Sequence, residues 1–317
     1  MFDQLNSLYK DEINSQLLSV YNIGPESLVD PINYVLSGKG KRLRPILTLF
    51  TAESFGGTKS ESMPAALAVE ILHNFTLVHD DIMDEDHIRH GKPTVHHKWD
   101  VGTAILSGDA MLSLALKMIQ KSPQFNEKLM TSFIDGLQAV CEGQAFDKEF
   151  ETRNTVSLAE YIQMIDLKTG YLIGLSAELG AISVGANDED VITVRDYGRL
   201  IGRAFQIQDD LLEIYSDSNN MGKNLESDLL LGKKTYLMIK AKESVPSELN
   251  LALELAQENF TAGLEKVRTL LIDSGIRQKT EEKIKSTIKE ADLLLNELSI
   301  ETDKLSFFSN LITNRGN

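Results

Sequence analysis

Hydrophobic positions along the chain recur at helical spacing over most of its length. Clear examples are residues 64–84, 104–119 and 191–215, where apolar side chains return every three or four positions. Alternating Val, Ile and Thr positions joined by hairpin turns, the usual sign of strands, are scarce. Pro45 and Pro64 fall in first helical turns, where a missing N–H costs little. The pattern predicts an all-α protein, a bundle of roughly ten or more helices.

The 317 residues show no boundary that would divide them into separate domains. Linkers rich in Pro, Gly or Ser are lacking, so we expect one domain over residues 1–317, large enough to bury a core without disulfides. The single cysteine, Cys141, lies in a helical pattern and is expected to be a small buried residue in a reducing compartment. Neither a signal peptide nor a run of about 18 apolar residues is evident, which predicts a cytoplasmic protein without a membrane span.

The charge balance narrows the choice of partners. Lys and Arg total 32 and Asp and Glu total 47, which gives a formal net charge of −15. A protein of this sign repels nucleic acid and anionic membrane surfaces, so neither is an expected partner. An anionic substrate would need a local cationic patch or metal ions.

Two acidic clusters end strongly apolar helical segments and share one spacing. Both place acids at positions i, i+1 and i+4: Asp80, Asp81 and Asp84 in HDDIMDED, and Asp209, Asp210 and Glu213 in QDDLLE. Such acids can project from one helix face, where they are costly unless paired or bound to metal. One cluster alone would be more typical of a solvated helix end. The repeated all-oxygen set, without Cys or His partners, predicts a site for several Mg²⁺ ions rather than Zn²⁺.

Cationic segments accompany the acidic clusters. They hold Lys39, Lys41, Arg42 and Arg44 in GKGKRLRP, Arg89, His90 and Lys92 after the first cluster, Lys168 and Thr169 in LKTG, and Lys223, Lys233 and Lys234 in GKNLESDLLLGKKT. Arg and Lys beside glycine suit close, charge-assisted binding of phosphate. Each segment alone could be an ordinary surface feature. Together with the acids, they indicate a site for two diphosphates and several Mg²⁺ ions.

The order of these motifs, from Gly38 to about Thr235, resembles the trans-isoprenyl diphosphate synthase family, the polyprenyl synthetases. GKGKRLRP is similar to the family's GGKRxRP, HDDIMD to its first aspartate-rich motif, LKTG to its KTG and FQIQDDLLE to its FQxxDDxxD. GKNLESDLLLGKKT is similar to its GKxxxxDxxxGKxT. The resemblance implies a homodimer of helical subunits with a central, largely apolar cavity. It also implies condensation of isopentenyl diphosphate with an allylic diphosphate (dimethylallyl, geranyl or farnesyl).

The resemblance also implies roles for individual residues. Lys41, Arg44 and His73 correspond to contacts with isopentenyl diphosphate, and Asp80, Asp84 and Asp209 to Mg²⁺ ligands. Arg89, Lys168, Thr169, Gln206, Lys223 and Lys233 correspond to residues that hold or polarise the allylic diphosphate. Three positions depart from the family pattern. His90 stands where a second arginine often serves isopentenyl diphosphate, Glu213 replaces an Asp, and Lys39 replaces a Gly.

Two residues before the first acidic cluster bear on product length. In the family, a bulky aromatic residue five positions before the motif, a small residue at four and an uninterrupted motif accompany the twenty-carbon product. Phe75 and Thr76 match this pattern, which predicts geranylgeranyl diphosphate, with farnesyl or a longer polyprenyl diphosphate as alternatives. An ideal helix places Phe75 about 140° from Asp80 but Thr76 only about 40° away. Geometry therefore favours Thr76 as the pocket residue, and Phe75 has core packing as a second interpretation.

Other classes of protein fit the motifs less well. A class I terpene cyclase would need no second diphosphate site, yet GKGKRLRP supplies one. Head-to-head synthases use differently spaced acids. A regulatory subunit without catalysis should lack some of the carboxylates, and a diphosphohydrolase would not explain LKTG or GKKT. The sequence therefore favours a Mg²⁺-dependent trans-prenyltransferase.

Overall fold

A computed structural model of the protein describes residues 2–38, 40–215 and 233–313. In these ranges helices form nearly all of the regular structure, and the prediction of an all-α protein is confirmed. A short antiparallel pair, β1 (Ile88–Arg89) and β2 (Lys92–Pro93), is the one sheet within the described residues. Lys39 and Lys223 lie outside the described residues.

The helices follow one another with short connections. Their bounds in chain order are α1 Phe2–Leu17, α2 Glu26–Leu36, α3 Leu43–Ser54, α4 Lys59–Met83, α5 Val95–Lys98, α6 Val101–Gln120, α7 Glu127–Thr152, α8 Leu158–Ile165, α9 Tyr171–Ile182, α10 Asp188–Tyr215, α11 Tyr236–Ser244, α12 Pro246–Glu258, α13 Phe260–Asp273, α14 Ile276–Leu295 and α15 Asp303–Thr313. A π-helical turn, Asp166–Gly170, joins α8 to α9.

The chain divides into two compact units, each built from separated segments. The first unit combines Met1–Gln138, Leu172–Gly198 and Leu294–Phe308, and the second combines Ala139–Tyr171, Arg199–Leu293 and Ser309–Asn317. The single domain expected over residues 1–317 stays a prediction.

Helix α4 organises the first unit. A capping box closes its beginning, in which Thr58 and Glu61 satisfy each other's backbone N–H groups. The helix packs against α1, α2, α3, α5 and α6. Near the end of α4, helix α6 approaches it so closely that a Cβ on Gly108 of α6 would lie 2.1 Å from Nε2 of His79. The close approach fixes the last turns of α4, which carry the first acidic cluster.

The π-turn Asp166–Gly170 lies in the second unit, where a glycine of α7 and a glycine of α10 contact its backbone. A Cβ on Gly143 of α7 would lie 2.4 Å from the backbone N of Lys168. A Cβ on Gly202 of α10 would lie 2.6 Å from the Cα of Gly170. Only glycine permits such an approach of backbone to backbone. Helices α7 and α10 therefore fix the turn that carries Lys168 and Thr169.

Two observations bear on expectations from the sequence. The expectation that Cys141 is buried is wrong, because its side chain is exposed on α7. Among the described helices, α6 (Val101–Gln120) alone is long and apolar enough to cross a membrane, and 44% of its most apolar 18-residue stretch is buried in the fold. Core helices of water-soluble proteins share these properties, so the absence of a membrane span stays a prediction.

Candidate active site

The first acidic cluster ends α4, and its three acids differ in exposure. Asp81 is buried, with 4% of its surface exposed, whereas Asp80 is partly exposed and Asp84 is exposed at the helix cap. Nε of Arg89 donates to Oδ1 of Asp81 over 2.5 Å. Burial raises the pKa of Asp81 to about 6, although the positive charge of Arg89 acts in the opposite direction. The three side chains therefore differ in accessibility. Asp80 and Asp84 are accessible, whereas Asp81 is buried in contact with Arg89.

The second cluster, on α10, repeats this arrangement within the second unit. Its middle acid, Asp210, is 5% exposed, whereas Asp209 and Glu213 are partly exposed. Asp210 accepts hydrogen bonds from the Tyr161 hydroxyl, from the backbone N–H of Tyr236 at 2.9 Å and from Nε2 of Gln206 at 3.2 Å. Burial raises the pKa of Asp210, and these hydrogen bonds and the charge of Lys233 oppose that rise. In both clusters the outer acids are the accessible ones.

The LKTG residues are held by partners that lie far away in the sequence. Nζ of Lys168 lies 2.6 Å from Oδ2 of Asp147 on α7. Oγ1 of Thr169 donates to Oε1 of Gln206 at 3.0 Å, and the amide group of Gln206 donates onward to Asp210. One hydrogen-bonded chain thus links the π-turn to the second acidic cluster. No spacing in the sequence pointed to Asp147, which makes its contact across 21 positions.

Arg42 in GKGKRLRP is a structural residue rather than an accessible cation. It is 4% exposed and its NH1 forms an ion pair with Oε1 of Glu70 at 2.6 Å. Its other groups donate to the Asn14 side chain and to the carbonyl oxygens of Leu36 and Gly38. These bonds hold Arg42 in a left-handed backbone conformation, with φ of 55°. In the sequence Arg42 is one of four similar cations, and no pattern there indicated its structural role.

A cationic cluster in the first unit collects residues from the basic segment, α4 and the β1–β2 turn. His73 on α4 is partly exposed, and its pKa is lowered well below the usual range. The main cause is desolvation, followed by the positive charges of Arg44, Arg89 and Arg42, and of His90. These residues therefore lie close enough to His73 to act on its charge. His73 is neutral at physiological pH, so it can accept or donate a hydrogen bond beside the charged arginines.

His90 occupies the tip of the β1–β2 turn. Its φ is 50° and that of Gly91 is 74°, so two left-handed residues reverse the chain between Arg89 and Lys92. Residue His90 is exposed as a whole, and partial desolvation of its ring, followed by the positive charge of Arg89, lowers its pKa. The structure thus places this departure from the family pattern next to Arg89, where an arginine would extend the same cationic cluster.

Phe75 and Thr76 lie in different environments on α4. Phe75 is 8% exposed, and its ring centroid lies 4.7 Å from that of His79 in an edge contact. His79 is the residue against which Gly108 of α6 packs, so Phe75 belongs to the contact region of α4 and α6. Thr76 is partly exposed, and its hydroxyl donates to the carbonyl of His73 at 2.8 Å.

The accessible acids fit Mg²⁺ by their chemistry. Among the described residues, no three His, Cys, Asp or Glu side chains already converge on a common metal position. Mg²⁺ retains several waters and binds through one or two carboxylates plus substrate phosphates, so a preformed cage is not required. Asp80 and Asp84, four residues apart on one helix face, and Asp209 in the other cluster offer such oxygens.

The family model described as "Polyprenyl synthetase" matches residues 25–271. The chain belongs to the polyprenyl synthetase family. The matched range contains all of the motifs on which the resemblance was based, so the family assignment and the prenyltransferase class predicted from those motifs are confirmed.

Individual relatives agree with the family match. This polyprenyl synthetase is 42% identical over 240 residues to a geranylgeranyl diphosphate synthase of Methanosarcina mazei, covering 75% of this chain and 74% of the relative. It is 39% identical over 227 residues to a short chain isoprenyl diphosphate synthase of Methanothermobacter thermautotrophicus, covering 71% of this chain and 70% of the relative. The crystal structure of a geranylgeranyl pyrophosphate synthase superposes with a TM-score of 0.89 at 38% identity, covering 99% of each chain.

Proposed function

We propose that this polyprenyl synthetase condenses isopentenyl diphosphate with an allylic diphosphate in a Mg²⁺-dependent reaction, and that its main product is geranylgeranyl diphosphate. The observation that carries the proposal is the cationic cluster around His73, which lies beside the first acidic cluster in one unit. Arg89 belongs to both, because it contacts Asp81 and acts electrostatically on His73. Cations for a diphosphate and acids for Mg²⁺ are thus neighbours. The geranylgeranyl diphosphate synthases among the relatives support the choice of product.

The roles that we assign combine the family pattern with the exposure and contacts of the described residues, and Lys223 is assigned by the family pattern alone. The residues that would hold Mg²⁺ are Asp80, Asp84, Asp209 and Glu213. Asp81 would position Arg89, and Asp210 would position Tyr161 and Gln206. The residues that would face isopentenyl diphosphate are Lys41, Arg44, His73 and His90, and those that would hold the allylic diphosphate are Arg89, Lys168, Thr169, Gln206, Lys223 and Lys233. Lys41 and Lys233 are exposed, and Arg44 and Lys168 are partly exposed, so these cations are accessible to an anion.

The reaction needs stabilisation of charge rather than a protein nucleophile. When bound, Mg²⁺ supplies positive charge opposite the leaving diphosphate. Lys168, Thr169 and Gln206 bind the same leaving group as the allylic C–O bond breaks and its electron pair passes to oxygen. The double bond of isopentenyl diphosphate attacks the allylic cation and forms the new C–C bond. A proton then leaves the adjacent carbon, with the released diphosphate as its acceptor, and a double bond is restored.

Labelled substrates test the proposal directly. The protein would be incubated with Mg²⁺, labelled isopentenyl diphosphate and a dimethylallyl, geranyl or farnesyl primer, and the products would be separated by chromatography. We expect a twenty-carbon product from all three primers. Failure to incorporate label with any primer would overturn the proposed function. A dominant fifteen-carbon or longer product would overturn only the assignment of chain length.

Replacing Phe75 with Ala is expected to lengthen the products, if Phe75 forms the floor of the pocket for the growing chain. Along α4, Phe75 lies about 7.5 Å below Asp80, and removal of its ring would open space in that direction. The measurement is the product distribution by chromatography, with Thr76→Val as the comparison on the neighbouring, partly exposed position. An unchanged distribution in a folded Phe75→Ala variant would make Phe75 a packing residue between α4 and α6.

Replacing His90 with Arg is expected to lower the half-saturation concentration for isopentenyl diphosphate, by up to about tenfold, the value of one charge-assisted hydrogen bond. The new guanidinium would join Arg89 and Arg44 at the cationic cluster. Steady-state kinetics at saturating primer give the value, with His97→Arg as a control that adds the same charge at an exposed position of α5. Equal half-saturation in His90→Arg and in the unmodified protein would mean that another cation fills the role.

We also propose that the protein is a cytoplasmic homodimer. Exposed apolar side chains of α6 support a contact surface, since Val101, Ile105 and Leu106 are 48%, 44% and 64% exposed. Replacing Leu106 with Asp should shift the dimer towards monomer in sedimentation equilibrium. Leu251→Asp is the matched control, because Leu251 on α12 is 65% exposed. If both variants sediment like the unmodified protein, this part of α6 lies outside any subunit contact.

A further inference from the structure

A cleft whose described lining residues include no member of either acidic cluster lies within the second unit. Its volume is about 410 Å³, and α8, the π-turn, the start of α9 and the middle of α10 form its walls. The polar side chains that line it are Gln163, Asp166, Tyr171, Arg199 and Arg203. Among the described residues, none of the acids assigned to Mg²⁺ and none of the cations assigned to the substrates lines this cleft. The volume falls in the range of about 300–1,000 Å³ that is usual for small-molecule pockets.

Arg199 is positioned in this cleft but incompletely satisfied. Its guanidinium carbon lies 3.9 Å from the centroid of the Tyr171 ring, so a cation–π contact fixes the orientation of the side chain. Its Nε is shielded from solvent and has no hydrogen-bond partner among the described residues. Buried polar groups in folded proteins are nearly always hydrogen-bonded, so the Nε N–H of Arg199 is an exception in this part of α10.

The second arginine of the cleft is satisfied. Arg203 lies one helical turn after Arg199 on α10, and its Nε and NH2 donate to the two carboxylate oxygens of Asp166 over 2.7 Å and 2.5 Å. Asp166 thus neutralises Arg203, and no other acid among the described lining residues compensates the charge of Arg199. The cleft therefore carries one net positive charge, beside the exposed Gln163 amide and the apolar side chain of Ile162.

We propose that this cleft binds a small organic anion, with a phosphoryl or carboxylate group on Arg199 and a short apolar part against Ile162. The planar guanidinium presents paired N–H donors that match either group, and its stacking on Tyr171 reduces the conformational freedom lost on binding. Asp166 opens the π-turn that carries Lys168 and Thr169, so the ligand lies against the segment assigned to the allylic diphosphate. The site does not depend on the proposed function, since binding is measurable without turnover.

Calorimetric titration of the full chain without Mg²⁺ tests the proposal and distinguishes the two anionic groups. Phenyl phosphate and phenylacetate are the charged probes, and benzyl alcohol is the neutral one. We expect saturable binding of at least one charged probe and none of benzyl alcohol. Arg199→Met, which retains an apolar contact with Tyr171, should weaken binding by about tenfold or more, in line with loss of a bidentate ionic contact.

Matched variants separate this cleft from other cationic sites. Arg195→Met removes an arginine one turn earlier on the same helix and should bind the probe like the unmodified protein. Arg199→Lys keeps the charge without the planar donors and should weaken binding several-fold, even if Arg199→Met fails to fold. Absence of binding by either charged probe, or equal binding in a folded Arg199 variant, would overturn the proposal. So would a change in subunit number in Arg199→Met, because the cleft would then be a protein contact.

Discussion

Replacing Asp80 or Asp209 with Asn should lower turnover by about 10²–10³-fold, the usual effect of removing one electrostatic stabiliser of a developing charge. Asn preserves the size of the side chain but not the negative charge that Mg²⁺ requires. Each acid is the accessible first member of its cluster, whereas Asp81 and Asp210 are occupied in buried contacts. The measurement is steady-state kinetics over a range of Mg²⁺ concentrations, and chelation of Mg²⁺ should abolish turnover of the unmodified protein.

Two comparisons make this expectation specific. Glu213→Gln should have a milder effect, because the longer side chain moves the carboxylate relative to the Asp that the family pattern has there. Asp109→Asn is the control for charge alone, since its side chain on α6 is 64% exposed and its Oδ1 lies 4.0 Å from Nε2 of His79. Near-normal turnover in Asp80→Asn or Asp209→Asn, with the fold intact by circular dichroism, would contradict the assignment of Mg²⁺ to these clusters.

Replacing Arg42 with Met should destabilise the protein by about 3–5 kcal/mol, since loss of one partner of a buried ion pair leaves the other charge uncompensated. The side chains of Arg42 and Glu70 are 3% and 5% exposed, so the substitution would leave the buried Glu70 carboxyl without its ionic partner. The carbonyls of Leu36 and Gly38 would lose their donor as well. The midpoint of urea denaturation, followed by circular dichroism, measures the effect.

The matched control is an ion pair in the same unit that remains in solvent. Lys128 and Asp188 are 2.5 Å apart, with side chains 40% and 87% exposed. Pairs of this kind contribute about 0–1 kcal/mol, so Lys128→Met should leave the midpoint nearly unchanged. The double variant Arg42→Met, Glu70→Met should recover part of the loss, because it removes both buried charges. A midpoint in Arg42→Met equal to that of Lys128→Met would show that the pair contributes little.

The features that the sequence predicted are those encoded locally. Helical periodicity and first-turn prolines depend on neighbours within a few residues, so the all-α class followed from them. The motifs were equally readable, because each is a short run with fixed spacing, and their order identified the family. The positions of the outer acids, Asp80, Asp84 and Asp209, agree with an accessible face at the end of each apolar helix.

The features that the sequence did not predict depend on partners that are distant along the chain. Spacing alone made the three acids of each cluster equivalent, but Asp210 is buried and accepts a hydrogen bond from Tyr161, 49 positions away. The sequence did not distinguish Arg42 from the neighbouring cations, because its ionic partner, Glu70, lies 28 positions away. Cys141 was expected inside as a small residue in a helical pattern, and only the packing of α7 decides which face is exposed.

The glycine contacts of the π-turn affect how mutational scans of this protein should be interpreted. At positions 143 and 202 even the methyl group of alanine would meet backbone atoms of Lys168 and Gly170, which cannot rotate out of the way as a side chain can. A scan that infers catalytic residues from intolerance to substitution would therefore select Gly143 and Gly202 together with Lys168. Their intolerance would be steric, and neither glycine carries a group that takes part in chemistry.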